Sequence, residues 1–201
     1  MRDVRSVVGM SEPRISDLLE AASVRAVPVV RGVADERLGD PTPCAEYSVR
    51  ELVNHLTHVV VGFQAYAAKG QADFSTTPDY IGDDPDWRAR FTAEARKLVD
   101  AWAAPGADEG TAGQLGLPAR TLGQMALLDL LVHAWDLAVA TGQDFEPDPV
   151  VVAALEPAVA RMAPMAREWK AFGDPAPVPA DASPFERLLA TTGRDPRPAA
   201  P

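Results

Sequence analysis

The stretch MALLDLLVHAWDLAVATGQ, residues 125–143, decides the fold, because it predicts a long helix that is apolar on almost every side. Its apolar residues run up to the Thr-Gly pair and are interrupted only by Asp129, His133 and Asp136. Burying an unpaired charge is costly, so groups of this kind are normally paired, hydrogen-bonded or bound to a metal ion. Positions i, i+4 and i+7 lie on one face of a helix, so the three side chains form a polar stripe.

The composition bounds the class of protein and its partners. The chain has 201 residues, of which 47% are hydrophobic, enough for one good core. Its net charge of −10 argues against a nucleic-acid backbone or an anionic membrane as partner. Cys44 is the only cysteine, which excludes an internal disulfide and fits a reducing compartment. With no signal-peptide pattern and no run of uncharged apolar residues long enough to span a bilayer, we expect a soluble, cytoplasmic protein.

Hydrophobic periodicity and helix-end signals predict an all-α bundle with extra C-terminal helices. Ser48 followed by Glu51 is a capping-box pattern, so the second helix should begin at Val49. Pro28 should kink or interrupt the first helix, and Gly142 should end the fourth. We predict four main helices with a tail. Helical segments are predicted over residues 16–33, 49–68, 85–104, 121–140 and 147–165, and a last short helix starts at Ser183-Pro184 and ends at Gly193.

The connections leave the topology of the bundle open. The loop over residues 70–84 could span up to about 45–50 Å if extended, whereas a 20-residue helix is about 30 Å long. The third helix can therefore run parallel or antiparallel to the second. We predict a metal-binding bundle domain over residues 1–172 and a Pro-rich tail over 173–201, whose short helix packs on the bundle.

The polar stripe predicts part of a metal site. Asp129 and His133 lie one helical turn apart, and a carboxylate and an imidazole at that spacing can hold one ion. Catalytic zinc sites usually take three protein ligands, so one more is needed. The other two histidines, His55 and His58, both lie on the second helix. His55 is in phase with the apolar stripe of that helix and is the best third ligand, while His58, about 60° around the helix, could be a ligand, a supporting group or a surface residue.

The same residues allow other interpretations. Asp129 and His133 alone could form a buried pair with no metal ion. Asp136 is expected to support the site, by pairing with an arginine or by orienting a ligand. Two histidines and a carboxylate suit Zn, Ni, Fe and Mn alike. We expect a divalent ion, with zinc favoured.

Three ordered motifs resemble actinobacterial proteins of the DinB-like superfamily. They are TPCAEYSVRELVNHL, DLLVHAWDLAVATGQ and the tail PADASPFERLLATTGRDP, and together the resemblance covers about residues 14–196. The best-characterised protein that it points to is the N-terminal domain of mycothiol-dependent maleylpyruvate isomerase, with bacillithiol S-transferases more distant. The resemblance implies a DinB-like four-helix bundle that holds a divalent metal ion through His55, Asp129 and His133. The isomerase motif has Glu where this chain has Asp129.

The resemblance also implies a function. It favours a metal-dependent enzyme that uses a low-molecular-weight thiol such as mycothiol as co-substrate, in a transferase-like or isomerase-like reaction, with hydrolysis as a variant. The alternatives are a metal-binding module without turnover and a helical interaction module whose polar stripe is a hydrogen-bond network. The expected partner is a small-molecule substrate or thiol, with no nucleic acid and no membrane. Homodimers are common among such bundles.

Overall fold

The structure is a computed structural model that describes residues 12–82 and 84–198. These residues form an all-α fold, as the sequence predicted. The helices are α1 (Ile15–Gly32), α2 (Val49–Ala67), α3 (Trp87–Ala103), α4 (Ala119–Thr141), α5 (Pro149–Glu168) and α6 (Pro184–Thr191), with a 3-10 turn at Asp35–Arg37. A short antiparallel hairpin, β1 (Thr111–Ala112) with β2 (Leu117–Pro118), was not predicted, because strands of two residues carry no alternating pattern.

Helices α1 to α4 form a four-helix bundle in which α1 and α2 each pack against α3 and α4. The start of α1 lies beside the end of α3, since Arg14 donates a hydrogen bond to the carbonyl of Ala103 at 3.1 Å. The end of α1 lies beside the end of α4, since Arg37 donates to the carbonyl of Ala140 at 2.6 Å. Helix α1 is therefore antiparallel to α3 and parallel to α4.

The loop over residues 68–86 crosses the length of the bundle, so that α3 runs parallel to α2. Near the start of α2, the side-chain oxygen of Asn54 accepts hydrogen bonds from the backbone N–H groups of Tyr80 and Ile81, at 2.8 and 3.0 Å. Near the end of α2, the side chain of Gln64 donates to the carboxylate of Glu94, in the middle of α3, at 3.0 Å. Loop length alone allowed α3 to run parallel or antiparallel to α2, and the structure shows the parallel arrangement.

Helix α4 is the central element of the core. Its leucines at 127, 130, 131 and 137 are almost completely buried. By length and composition alone, both α4 and α5 could cross a membrane, and 78% of the apolar window of α4 is buried inside the fold, against 44% for α5. The hydrophobicity of α4 therefore matches its place among α1, α2 and α5.

The helix ends follow the sequence signals at most positions. The capping box of Ser48 and Glu51 is present, and Gly142 ends α4 in the left-handed conformation with φ 68°. Pro28 does not interrupt α1, which continues to Gly32, while a kink at this position stays a prediction. Pro28 lies on the exposed side of α1, as does Val24 four residues earlier, whose carbonyl has no helical partner because proline has no N–H.

The tail returns to the bundle after α5. Helix α6 packs against α5, and the backbone N–H of Gly173 donates to the carbonyl of Thr192 at 3.2 Å. Gly193 has a φ of 93°, and a Cβ at this position would lie 2.8 Å from the Cα of Gly173. The close approach of these two glycines allows the residue that follows, Arg194, to reach α4.

Asp79 fixes the crossing loop to α2. Its carboxylate accepts hydrogen bonds from the backbone N–H of Gly82 and from the side chains of Arg50 and Asn54, at 2.8–2.9 Å, and these bonds lower its pKa to about 2. A lowered acid pKa contributes stability that is present above the ordinary value of 3.8 and is lost as the pH falls through about 2. We expect Asp79→Asn to destabilise the protein at pH 7 and to make its stability less dependent on pH between about 4 and 2.

Urea unfolding at a series of pH values measures this contribution. The control is Asp100→Asn, since Asp100 is exposed on α3. A pH dependence that is the same in wild type and Asp79→Asn would contradict the assignment.

Candidate metal centre

Two neighbouring helices bring together the three predicted ligands. His55 comes from α2, and Asp129 and His133 come from α4. Each offers one ligand atom, and these atoms all lie within 4.8 Å of one another. The rings of His55 and His133 meet edge to face, with centroids 5.1 Å apart. A residue on α2 and an i, i+4 pair on α4 thus converge on one point of the bundle.

The donor set fits a divalent ion. Tetrahedral coordination with bonds of about 2.0–2.2 Å places ligand atoms about 3.4 Å apart. Nε2 of His133 lies 3.8 Å from Oδ1 of Asp129, too far for a hydrogen bond and close to the spacing that an ion requires. Among residues 12–82 and 84–198, neither Asp129 nor His55 has a hydrogen-bond partner. Polar atoms that face one another without protein partners are what a cation would satisfy.

The protonation states also favour a cation. Burial is the main cause that lowers the pKa of His55 to about 3, and the neighbouring histidines and Arg194 add to it. His55 is therefore neutral near pH 7 and presents a free lone pair. Burial raises the pKa of Asp129, against the opposing effects of His133 and Arg194. A bound metal ion would compensate the cost of keeping this carboxylate ionised.

A buried ion pair between Asp136 and Arg194 contacts Nδ1 of His133, the ring nitrogen that does not face Asp129. Nδ1 of His133 lies 3.0 Å from Oδ2 of Asp136, a carboxylate with no exposed surface. When Nδ1 donates this hydrogen bond, the lone pair of His133 is on Nε2, the atom that faces Asp129. Arg194 donates to Asp136 through Nε at 3.1 Å and through Nη2 at 2.9 Å. Burial alone would raise the pKa of Asp136, but the hydrogen bond from His133 and the charge of Arg194 outweigh it, so the pKa is lowered.

Arg194 is the site residue that sequence reasoning did not identify. An arginine was expected beside Asp136, but nothing in the helical spacing indicates which of the arginines it is. The available signal was the Gly-Arg-Asp-Pro end of the tail motif, which contains Arg194. Its contact with Asp136 spans 58 residues of chain and depends on the path of the tail.

His58 lies outside the cluster. Its Nδ1 is 2.9 Å from the hydroxyl of Tyr80, and its Nε2 is 2.7 Å from the carbonyl of Asp73. Its ring also contacts Phe74, with centroids 5.0 Å apart. The structure therefore does not bring His58 to the ligands, and both of its ring nitrogens hold the crossing loop.

Cys44 lies on the other side of His133 from the ligand group. Its sulfur is within 4.8 Å of ligand atoms of His133 and Asp136, which makes a second candidate group. The oxygens of Asp136 are already bonded to His133 and Arg194. Burial is the main cause that raises the pKa of the Cys44 thiol, so the neutral form is favoured. The group of His55, Asp129 and His133 is the better metal site.

A cavity of about 520 Å³ opens beside the ligands. It lies between α4 and α5, and the loop before α2, the crossing loop and the tail complete its walls. Tyr47 stacks on His55 at the edge of this cavity, with ring centroids 5.1 Å apart and an angle of 20°. The ligands are thus accessible to a small molecule from one side and supported by protein on the other.

Comparison with known proteins gives family, relatives and fold. The family described as "Mycothiol maleylpyruvate isomerase N-terminal domain" matches residues 19–138, which include the three candidate ligands but not Arg194. Two Mycobacterium tuberculosis proteins, described as uncharacterized proteins Rv0738 and MT0763, are each 34% identical over 192 residues, 92% of this chain and 96% of theirs.

Solved structures of mycothiol-dependent maleylpyruvate isomerase share the fold. The enzyme aligns with a TM-score of 0.50 at 16% identity, and a single-residue mutant of it aligns with 0.51 at 14%. In both cases the alignment covers 75% of this chain and 70% of the other. At this identity the likeness bears on the fold alone.

Proposed function

The chain belongs to the mycothiol maleylpyruvate isomerase N-terminal domain family, and on that premise we propose that it is a metal-dependent enzyme acting on a low-molecular-weight thiol. The carrying observation is that the ligand atoms of His55, Asp129 and His133 lie within 4.8 Å of one another beside a cavity. Mycothiol is the proposed co-substrate, and a transfer or isomerisation reaction in the cytoplasm is the proposed activity.

The three ligands would hold a divalent ion, and we propose zinc because catalytic zinc sites usually take three protein ligands. When bound, the ion supplies a Lewis acid that favours the thiolate form of the co-substrate. Asp136 keeps Nε2 of His133 directed toward the ligand group. Tyr47 restricts the orientation of His55 by stacking on its ring. These two contacts preorganise the ligands, so that less ordering is required when the ion binds.

The cavity supports an enzyme over a binding module without turnover. A module of that kind calls for a site closed by protein ligands, or for a pocket too small for substrate. Here three protein ligands would leave a coordination position of the ion free. The adjoining volume of about 520 Å³ is in the range of small-molecule sites, about 300–1,000 Å³.

Thiol consumption tests the proposal. We expect zinc-loaded protein to accelerate the reaction of mycothiol with a carbon electrophile above the spontaneous rate, and chelation or His55→Ala to abolish the acceleration. His58→Ala is the matched control on the same helix and should retain it, because His58 contacts the crossing loop. Absence of turnover with thiols, esters and amides in fully metallated protein would favour the binding module instead.

A further inference from the structure

The cavity wall beside the ligands is apolar. On α4, Met125, Leu128 and Val132 line the cavity at the spacing i, i+3 and i+7, so they share the face that carries the two α4 ligands. From the opposite side, α5 contributes Met162 and Met165. Methionine side chains are flexible and polarizable, and they adapt to apolar ligands of different shapes. The space next to the metal position therefore suits an apolar group.

The mouth of the cavity carries two exposed aromatic side chains. Phe74, from the crossing loop, is 39% exposed, and Trp169, at the end of α5, is 48% exposed. Within residues 12–82 and 84–198, every other phenylalanine, tryptophan and tyrosine is at least partly buried, and these two both line the cavity. Phe74 also packs on His58 and Phe63, so Trp169 is the more open of the two rings. An aromatic ring exposed at an apolar pocket is typical of a binding surface.

The charges of the lining do not favour a small polyanion. Arg194 is bonded to Asp136 and is almost buried, so its charge is already compensated. Among the described lining residues, Lys170 is the cation that has no acidic partner, and it is exposed. Glu46 adds negative charge to the same lining. The methionine side chains themselves offer a carboxylate no hydrogen-bond donor in exchange for the water that it would lose.

From these observations we propose that the second substrate of this site is an electrophile with an apolar, aryl-sized body that lies against α4 and α5. The inference rests on the proposed thiol function and specifies its acceptor. In the simplest reaction, addition to an α,β-unsaturated ketone, the thiol sulfur forms a bond to the β-carbon and the carbon–carbon π bond breaks. The thiol proton ends on the α-carbon, so no oxidant or reductant is consumed.

A matched pair of electrophiles tests the acceptor class. 4-Phenyl-3-buten-2-one and 4-oxopent-2-enoate share the same enone, and a carboxylate replaces the phenyl ring in the second. After correction for the spontaneous reaction of each compound with mycothiol, we expect kcat/KM to be at least about tenfold higher for the phenyl compound, because the apolar wall favours burial of a phenyl ring over burial of a carboxylate. An equal value, or a preference for the carboxylate, overturns the inference while leaving the thiol function in place.

A variant of the methionine wall tests whether the preference for the phenyl compound arises in this cavity. Met165→Glu puts a negative charge into the cavity from a position that is already half-buried. It should reduce the preference for the phenyl compound at least about tenfold. The matched control is Val150→Glu, on the exposed side of α5 and away from the cavity lining, which should leave the preference unchanged. Thermal unfolding of both variants checks that they fold.

Binding of unreactive analogues separates this inference from the proposed function. Calorimetry with zinc-loaded protein compares 4-phenyl-2-butanone with 4-oxopentanoate, the saturated forms of the two electrophiles. Phenyl binding that is lost in Met165→Glu, without any turnover, supports the apolar pocket and contradicts thiol transfer. Tighter binding of the carboxylate, or phenyl binding that Met165→Glu does not change, overturns the pocket.

Discussion

Replacing His133 by alanine should weaken Zn²⁺ binding by at least about a hundredfold, because even the loss of a group that only supports a ligand costs about 10–100-fold. His133 supplies Nε2 to the ligand group, and an alanine at this position has no atom beyond Cβ that could replace it. His55→Ala and Asp129→Ala should show losses of the same order. Each variant leaves two ligands, which are too few for a stable site.

Competition with a chromogenic chelator, in protein purified without an affinity tag, measures the affinity. His58→Ala is the control, since it removes an imidazole from α2 without touching the ligand group, and it should bind zinc within about twofold of wild type. Wild-type affinity in His133→Ala would exclude the proposed ligand set. So would wild-type protein that takes up less than about a tenth of an equivalent of Zn²⁺, Ni²⁺ or Mn²⁺.

Asp136→Leu should destabilise the metal-free protein by about 3–5 kcal/mol, the usual cost of breaking a buried ion pair from one side. The variant leaves the guanidinium of Arg194 almost buried with no carboxylate. The double variant Asp136→Leu with Arg194→Met should recover most of this loss, because apolar groups of similar size replace both charges.

Urea unfolding of the two single variants and the double variant gives the coupling energy between the two residues. Zinc affinity in the same set separates stability from positioning. The double variant should remain about 10–100-fold weaker in zinc binding than wild type, since Nδ1 of His133 has lost its acceptor. A double variant that binds zinc like wild type would show that Asp136 contributes to folding alone.

The three candidate ligands could be named from the sequence because two signals in it agreed, the helical spacing and the family resemblance. Asp129 and His133 are related by one helical turn, and His55 is in phase with buried leucines of its own helix. Arg194 could not be predicted, because its contact with Asp136 depends on the path of the tail that contains α6. For His58, the helical phase placed the side chain away from the stripe, but it did not show that the crossing loop would engage both ring nitrogens.

For the fold too, features set by neighbouring residues were predicted, and features set by distant parts of the chain were not. The start of α2 and the end of α4 were predicted from Ser48, Glu51 and Gly142, whose effects act within one turn. The parallel arrangement of α2 and α3 was not, because the loop over 68–86 is long enough for either direction. The interruption expected at Pro28 is absent for a related reason. Whether a proline ends a helix depends on which side of the helix meets water, and Pro28 lies on the exposed side of α1.

The contact between Arg194 and Asp136 links the tail to a centre whose ligands all lie elsewhere. If the tail exchanges between docked and undocked positions, the apparent affinity for the ion is scaled by the docked fraction. A molecule that binds the outer face of α6, or a chemical change there, would then alter metal occupancy without contacting any ligand. The close contact of Gly173 with Gly193 lies on the path that brings Arg194 to α4, so it belongs to the docked position of the tail. On the proposed function, metal loading would then depend on the whole polypeptide rather than on two helices alone.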